Sequence, residues 1–308
     1  SVRILGRVTT YYRVKFGSKR FYFDAVPTRF LHFRLDEKAF VKHACVKFGF
    51  PVPEGKLFSN IVRGMYHGRK LGFPVVVKPA SGTHAYHVTA PVETISELAG
   101  AIRLAQQYHP QYIVERYLDG KLYRVTVVNF QHVFLARREA PNITGDGVHT
   151  IAELIELKNA DPRRGGTAQK DTTLHRIPLE GTTARALSRL KLTLASIPKS
   201  GEKIVLHCKT SIGSGGDIIE ETLLIHPENR EMFRRAARIF GTDLIGFDVI
   251  AEDLTRPYSE QMCGIIEANS IPMLDFHHNP AMGEPQNVAA RLWDGIVSDK
   301  RVRYLYPV

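Results

Sequence analysis

Apolar residues in this chain change period repeatedly, from two in short β-branched runs to 3.6 in longer amphipathic ones, and the changes follow no regular β-α-β rhythm. Period two marks a strand with one buried face, and period 3.6 marks a helix with one buried stripe. Their irregular alternation predicts an α+β fold rather than a regularly wound α/β sheet. Residues 2 to 26, rich in β-branched and aromatic side chains, read as one hairpin turning at Gly17-Ser18. From Asp36 the period becomes helical: Phe40, Val41, Ala44, Cys45 and Phe48 share a face, Asp36 is placed to cap the start, and Gly49 stops the helix before Pro51. The run F-P-V-V-V-K-P (73 to 79) reads as a short apolar strand in which Lys78 precedes the final proline. Thr94-Ile-Ser-Glu97 and Thr150-Ile-Ala-Glu153 have the form of capping boxes, the first opening a helix with Ile95, Leu98, Ile102 and Ala105 on one face. Strands are expected at 111 to 115 and 122 to 129, on either side of Leu118-Asp119-Gly120. Pro227 starts a helix with Met232, Phe233, Ala236, Ala237 and Phe240 inward and Gly241 as its stop, and two late strands follow at 244 to 250 and 264 to 268.

The 308 residues are 44% hydrophobic and 24% charged, ample for a buried core and enough for about two domains. No apolar run reaches the length of a membrane span and the N-terminus lacks a secretory pattern, so neither membrane nor export is expected. Cys45, Cys208 and Cys263 lie far apart, which fits a reducing, cytoplasmic setting and argues against a disulfide framework or a structural zinc site. His84-x-x-His87 and His277-His278 lack partners at zinc-site spacing. The formal charge is +11, but it is uneven: residues 1 to 50 hold eleven Lys+Arg against three Asp+Glu, and the remainder 31 against 28. An electrostatic entrance for small or peptidic anions is the expected use of that field.

Chemistry-bearing residues gather on the two late strands. Glu267 and Asn269 are two apart and point the same way, while Asp248 points away from its apolar neighbours Phe247 and Val249. If the strands pair antiparallel, three oxygen-bearing side chains converge, a hard donor set suited to Mg²⁺; solvated strand-face residues are the plain alternative. Lys78 precedes Ser81, Gly82 and Thr83, where backbone N–H groups and an ammonium can approach phosphate, unless the lysine simply snorkels to solvent. Lys38 sits in the first turn of its helix, against the macrodipole, a position that calls for an anion beside it. The loop Gly213-Ser214-Gly215-Gly216 allows either an anion-binding nest or a turn needing positive φ. Arg137-Arg138, expected just after a strand, permit a carboxylate clamp or an ordinary surface pair.

Read in order, these pieces resemble the ATP-grasp ligases, in particular the ligase region of cyanophycin synthetases and the glutathione synthetase half of the bifunctional bacterial enzymes. The resemblance runs from about residue 12 to the C-terminus through D-E-K-A-F, G-F-P-V-P-E-G, G-F-P-V-V-V-K-P-A-S-G, I-V-E-R-Y-L-D-G-K-L-Y-R-V, A-R-R-E-A-P-N-I-T-G-D-G, N-A-D-P-R-R-G, G-F-D-V-I, I-I-E-A-N and H-H-N-P-A-M-G-E-P-Q-N-V-A. It implies an ATP-grasp fold of two α+β subdomains clamping ATP, with a basic hairpin segment at 1–35, a lid at 36–118 and a core with the metal site at 119–308. It also implies an ATP-dependent carboxylate–amine ligase that forms an amide or peptide bond on an amino-acid or peptide substrate through an acyl-phosphate. By resemblance, Lys38, Lys78, Ser81 and Gly82 contact phosphates; Glu115, Arg116, Tyr117 and Leu118 form the hinge that receives adenine; and Asp248, Glu267 and Asn269 hold two Mg²⁺ ions. Arg138, Ser214, Gly215 and Gly216 face the substrate carboxylate and its acyl-phosphate. The implied partners are a carboxylate-bearing small molecule or peptide and an amine, with a homo-oligomer or partner protein left open.

The chain departs from the family pattern at four positions. Ala85 and His87 stand where glycines are usual, Leu122 where an acidic residue bonds ribose, and Met273 in place of the glycine of N-x-x-P-G. A nucleotide-binding module without turnover is therefore the alternative. Nucleic-acid binding by the basic, aromatic N-terminal hairpin is a more distant one.

Overall fold

Three strands with nearly unbroken apolar faces form the middle of a five-stranded antiparallel sheet. Its order is Asp217–Glu220, His132–Glu139, Lys121–Val128, Leu244–Ala251 and Cys263–Asn269. The computed structural model describes residues 2–4, 7–9, 11–16, 19–24, 35, 37–81, 87–166, 172–207, 210 and 212–298, the stretches before 35 as backbone only. One face of the large sheet presents Tyr123, Val125, Val127, Leu135, Phe247 and Val249 to the helix Pro227–Phe240, which buries the five predicted residues Met232, Phe233, Ala236, Ala237 and Phe240. Met232, Phe233 and Phe240 each contribute about 1.5–3 kcal/mol by leaving water, the two alanines less. Period two then sends Arg124, Thr126, Arg138, Asp248, Glu267 and Asn269 to the opposite face.

A second sheet, in the order Gly55–Phe58, Tyr112–Arg116, Val75–Pro79 and Thr89–Val92, is also antiparallel. Helices Ile61–Leu71 and Ile95–Tyr108 cover it, enclosing Val75, Val77, Val92, Leu98, Ile102, Tyr112 and Val114. A third apolar cluster, of Ile143, Ile151, Ile155, Ile177, Leu187, Ile204 and Leu206, lies in the segment between the large sheet's second and first strands in spatial order. Helix Lys38–Lys47 falls within the 36–118 stretch, yet its buried Val41, Ala44 and Cys45 belong to the large sheet's core. It is a shared element: an isolated bridge pairs Glu37, at its start, with Ser81, just beyond the strand that carries Lys78.

Several local expectations change. The single N-terminal hairpin resolves into two ladders, Val2–Ile4 with Arg7–Thr9 and Tyr11–Phe16 with Lys19–Asp24, and Gly17-Ser18 fall outside the described residues. Asp36 is likewise outside them; the residue flanking the helix is Glu37, whose side chain makes no cap bond. Ile95, the first residue of its helix, is exposed, and the buried stripe is Leu98, Ala101, Ile102 and Ala105. Thr150-Glu153 is a complete capping box, whereas at the earlier site Thr94 caps Glu97 but Glu97 accepts from the Glu93 N–H. Arg137 and Arg138 lie within the His132–Glu139 strand rather than after it.

Packed against the polar face of the large sheet, His277 is fully buried with Nδ1 2.7 Å from Glu220 and Nε2 2.9 Å from Thr126. Glu220 also accepts from the Thr222 hydroxyl. Among the described residues no helix is long and apolar enough to cross a membrane.

Candidate functional site

Cross-strand register, rather than loop chemistry, assembles the centre of the site. Asp248 is directly opposite Arg124 on one side and Glu267 on the other, and the neighbouring row is Thr126, Gly246 and Asn269. The late strands are therefore antiparallel, and Asp248, Glu267 and Asn269 stand together on one face. A bulge at Asp248/Val249 adds twist where this row sits. Arg124 Nε donates to Asp248 Oδ1 at 2.6 Å, and Arg138 Nη1 lies 3.5 Å from Oδ2. Gly246 makes room for that contact, since a Cβ there would meet Arg124 Cδ at 3.3 Å and Pro272 at 2.8 Å. The ring of Phe276 underlies both guanidiniums, 5.5 Å from Arg124 and 5.9 Å from Arg138.

Lys38 Nζ reaches Glu267 at 3.3 Å, so the anion that its place in the first helical turn calls for is present. Lys78, 6% exposed, is no snorkelling lysine: its ammonium lies 2.5 Å from Glu115 and donates to the Ile266 carbonyl at 3.3 Å. The other Glu115 oxygen accepts from Lys42 at 2.7 Å, and Lys42 also donates to the Pro53 carbonyl at 2.5 Å. Burial alone would raise the Glu115 pKa, but Lys78 and Lys42 outweigh it and hold the carboxyl below the ordinary range. For Lys42 burial dominates, and its pKa is lowered despite Glu115.

Beyond the Glu115 carboxylate the chain leaves the end of an inner strand of the small sheet, held on both sides. The Arg116 N–H bonds Glu54 O at 2.7 Å, the Tyr117 N–H bonds Pro74 O at 3.2 Å, and Leu118 is buried against Gly264. Arg116 itself is exposed. Ser81 is half-buried at the bridge to Glu37; Gly82 and Ala85 lie outside the described residues. His87, at a position where the family pattern has glycine, adopts φ 57° and stacks on Tyr108 with centroids 5.6 Å apart. The left-handed region is costly for most side chains but less so for histidine.

On the other flank, Arg138 points to the polar face, donating to the Thr210 carbonyl at 2.9 Å, while Arg137 points away to Glu221 and Glu139. Burial lowers the Arg138 pKa, with Asp248 opposing, although a guanidinium stays charged at any working pH. Ile212–Ser214 form a single 3₁₀ turn ending at Gly215, whose φ of 92° and contact with Ile177 exclude a side chain. The Gly215 carbonyl accepts from Arg164 at 3.2 Å. Arg164 in turn bonds Asp217, which also accepts from Lys158 at 2.6 Å and Asn142 at 3.3 Å. Thus a buried carboxylate fixes the glycine loop from behind. Cys45 and Cys263 are pushed up to about 12 by burial and remain neutral thiols.

Sequence reasoning brings forward Lys38, Lys78 and the late strands but passes over Arg124, Lys42, Lys158, Arg164 and Asp217. Two of these leave a local signal: Lys42 follows Lys38 by four residues, one helical turn, and Arg124 interrupts an apolar strand. Arg164 and Lys158 are recognisable only through Asp217, more than fifty residues away.

Residues 59–143 match the family model described as D-ala D-ala ligase C-terminus. Over 260 residues the chain is 35% identical to the cyanophycin synthetase of Trichormus variabilis, an overlap of 84% of this chain and 28% of that protein. The crystal structure of a bifunctional glutathione synthetase from Pasteurella multocida matches with TM-score 0.72 at 26% identity, over 94% of this chain and 40% of the other. This chain is an ATP-grasp domain. A further homologue of the domain is the bifunctional glutathione biosynthesis protein of Mannheimia succiniciproducens, 29% identical over 264 residues, 82% of this chain and 34% of the relative. The ATP-grasp chain thus spans about a third or less of the length of these curated relatives.

Proposed function

We propose that this ATP-grasp domain joins a carboxylate to an amine at the expense of ATP, forming an amide or peptide bond on an amino-acid or peptide substrate. The observation that carries this reading is the row Arg124, Asp248 and Glu267 with Asn269 beside it, bordered by Lys38 and Lys78. Two carboxylates and an amide on one face suit Mg²⁺, which keeps open positions for phosphate oxygens. Among the described residues no three His, Cys, Asp or Glu cluster, so a site closed entirely by such ligands is not formed. The Asn269 amide nitrogen is buried with no hydrogen-bond partner, a donor suited to an incoming phosphate oxygen, while its Oδ1 is the atom that would face a cation. Asp248, Glu267 and Asn269 would hold up to two such ions, which would supply charge neutralisation at the phosphates.

Lys38 and Lys78, with Ser81 and Gly82, would bind the phosphates; the hinge from Glu115 through Arg116 and Tyr117 to Leu118 would receive adenine. A carboxylate oxygen attacking the γ-phosphorus meets like charge, so cations must surround the transferring group. The P–O bond to ADP breaks as the acyl-phosphate forms. The amine nitrogen then attacks the acyl carbon, phosphate leaves with the C–O electrons, and the amine proton passes to solvent. Arg138, whose Nε is buried and unpartnered, and the Ser214, Gly215 and Gly216 loop would steady the charge on the acyl oxygen. The setting is proposed as cytoplasmic, and the assembly as a homo-oligomer or a complex with a partner protein.

The decisive measurement is ADP release over a panel of amino acids and short peptides as acid and amine. Release is expected only when both are supplied, and Glu267→Ala is expected to lower it at least a hundredfold, the scale of losing one charge-stabilising group. Tight ATP binding with no ADP release under any pairing would instead establish a nucleotide-binding module without turnover, the reading that His87 in the left-handed region favours.

A further inference from the structure

Lys42 has no part in the assignments above, yet it is one of two ammoniums on a single buried carboxylate. Glu115 is 2% exposed, with Lys78 on one oxygen at 2.5 Å and Lys42 on the other at 2.7 Å. Two cations share one anion, so the cluster carries a surplus positive charge away from bulk water. Lys42 is fixed from a second direction by the Pro53 carbonyl and rides on the helix Lys38–Lys47, while Glu115 and Lys78 belong to adjacent strands of the small sheet. Lys78 points toward the large sheet's edge strand, where its other bond is to Ile266, next to Glu267.

With Lys78 as sole partner, Glu115 would form a closed pair. A phosphate drawing Lys78 away would then leave a buried carboxylate uncompensated, which costs several kcal/mol. We propose that Lys42 is a positioning residue of the nucleotide site: it keeps Glu115 paired when Lys78 turns toward phosphate, and so sets the affinity for nucleotide without touching it. This inference rests on the proposed nucleotide site and adds to it a residue acting through Glu115. Lys42 ties the shared helix to the strand end at 115–118, so the same contact couples the phosphate and adenine ends of the site.

The test is MgADP binding by titration calorimetry to the full chain, in a double-mutant cycle of Lys42→Met and Glu115→Gln. Lys42→Met is expected to weaken MgADP roughly tenfold or more, the scale of losing a supporting partner. In the Glu115→Gln background the same change is expected to have less than a twofold effect, because a neutral amide needs no cation to hold it. Turnover should show a raised KM for ATP with the KM of the acid substrate unchanged. If Lys42→Met does not fold, Lys42→Gln, which retains a donor for Pro53, replaces it in the cycle with the same expected outcome. Equal affinity of wild type and the Lys42 variant, or an equal loss in both backgrounds, overturns the inference while leaving the proposed function intact. Wild type that binds no MgADP overturns both.

Discussion

Two carboxylate centres adjoin in this molecule, linked through Lys78, and are built for opposite purposes. Glu267 stands on the open face of the large sheet with its side chain 23% exposed and, among the described residues, one lysine at 3.3 Å. Glu115 has a side chain 3% exposed and closed between two ammoniums at 2.5 and 2.7 Å. The first can exchange its partner for an incoming cation with water helping on both sides of the exchange. The second can give up a partner only if another remains, because water cannot replace it. A site that must admit and release a charged ligand needs both kinds of carboxylate.

The contrast is most exposed by truncation. Glu115→Ala takes the shared anion from two buried ammoniums and is expected to cost about 3–5 kcal/mol of folding stability, whereas Glu267→Ala takes one from Lys38 alone and is expected to cost less. Urea denaturation of the two variants measures this, and similar losses would dissolve the distinction. Gly246→Ala tests the open centre alone: its Cβ would press on Pro272 and on the Arg124 stem, with an expected cost of about 1–3 kcal/mol and a shifted Asp248. A crystal structure of the variant with the Arg124–Asp248 contact unchanged would refute the account of that glycine.

A smaller, pH-dependent part belongs to the closed centre. The depressed Glu115 pKa means that its stabilisation is fully present above the ordinary glutamate value near 4.5 and is lost as pH falls through the lower folded-state value. The stability gap between wild type and Glu115→Gln should therefore narrow on acidification below about 4.5 and stay level from there to neutrality; a gap constant into acid would show that the carboxylate is not held ionised. The smallest effect is expected at Arg116 and Glu54, an exposed pair at 3.3 Å beside the closed centre. Arg116→Ala should change stability by less than about 0.5 kcal/mol, and a larger change would mean that neighbouring charges reach further than burial allows.

How much of this was legible in the sequence depends on where partners lie along the chain. The open centre is local knowledge: alternation in two strands fixes which way Asp248, Glu267 and Asn269 point, and only antiparallel pairing had to be supplied. The closed centre is not, because Lys42, Lys78 and Glu115 come from three elements and each alone resembles a solvated side chain. The same holds for secondary structure. Helix Pro227–Phe240 carries an N-terminal proline, an apolar stripe and a glycine stop, all visible beforehand. Helix Ile61–Leu71 has Gly64 and Gly68 inside it, residues that weaken a helical reading. They are there because Tyr112 and Leu98 press so close that a Cβ would sit 2.1 and 2.5 Å from them. Tertiary contact explains the glycines, and no local pattern could.

His277 gives the fold a direction in time. Its two ring nitrogens meet Thr126, 151 residues earlier, and Glu220, 57 residues earlier. As the chain leaves the ribosome, the strands bearing those partners emerge first and hold polar groups that face the sheet interior without their third member. Residue 277 follows both partners in the chain, so this three-way contact can form only after the late strand that carries Glu267 and Asn269 has been made. The short helix Asp275–His278 thus ties the middle of the large sheet to its outer strand through one buried ring.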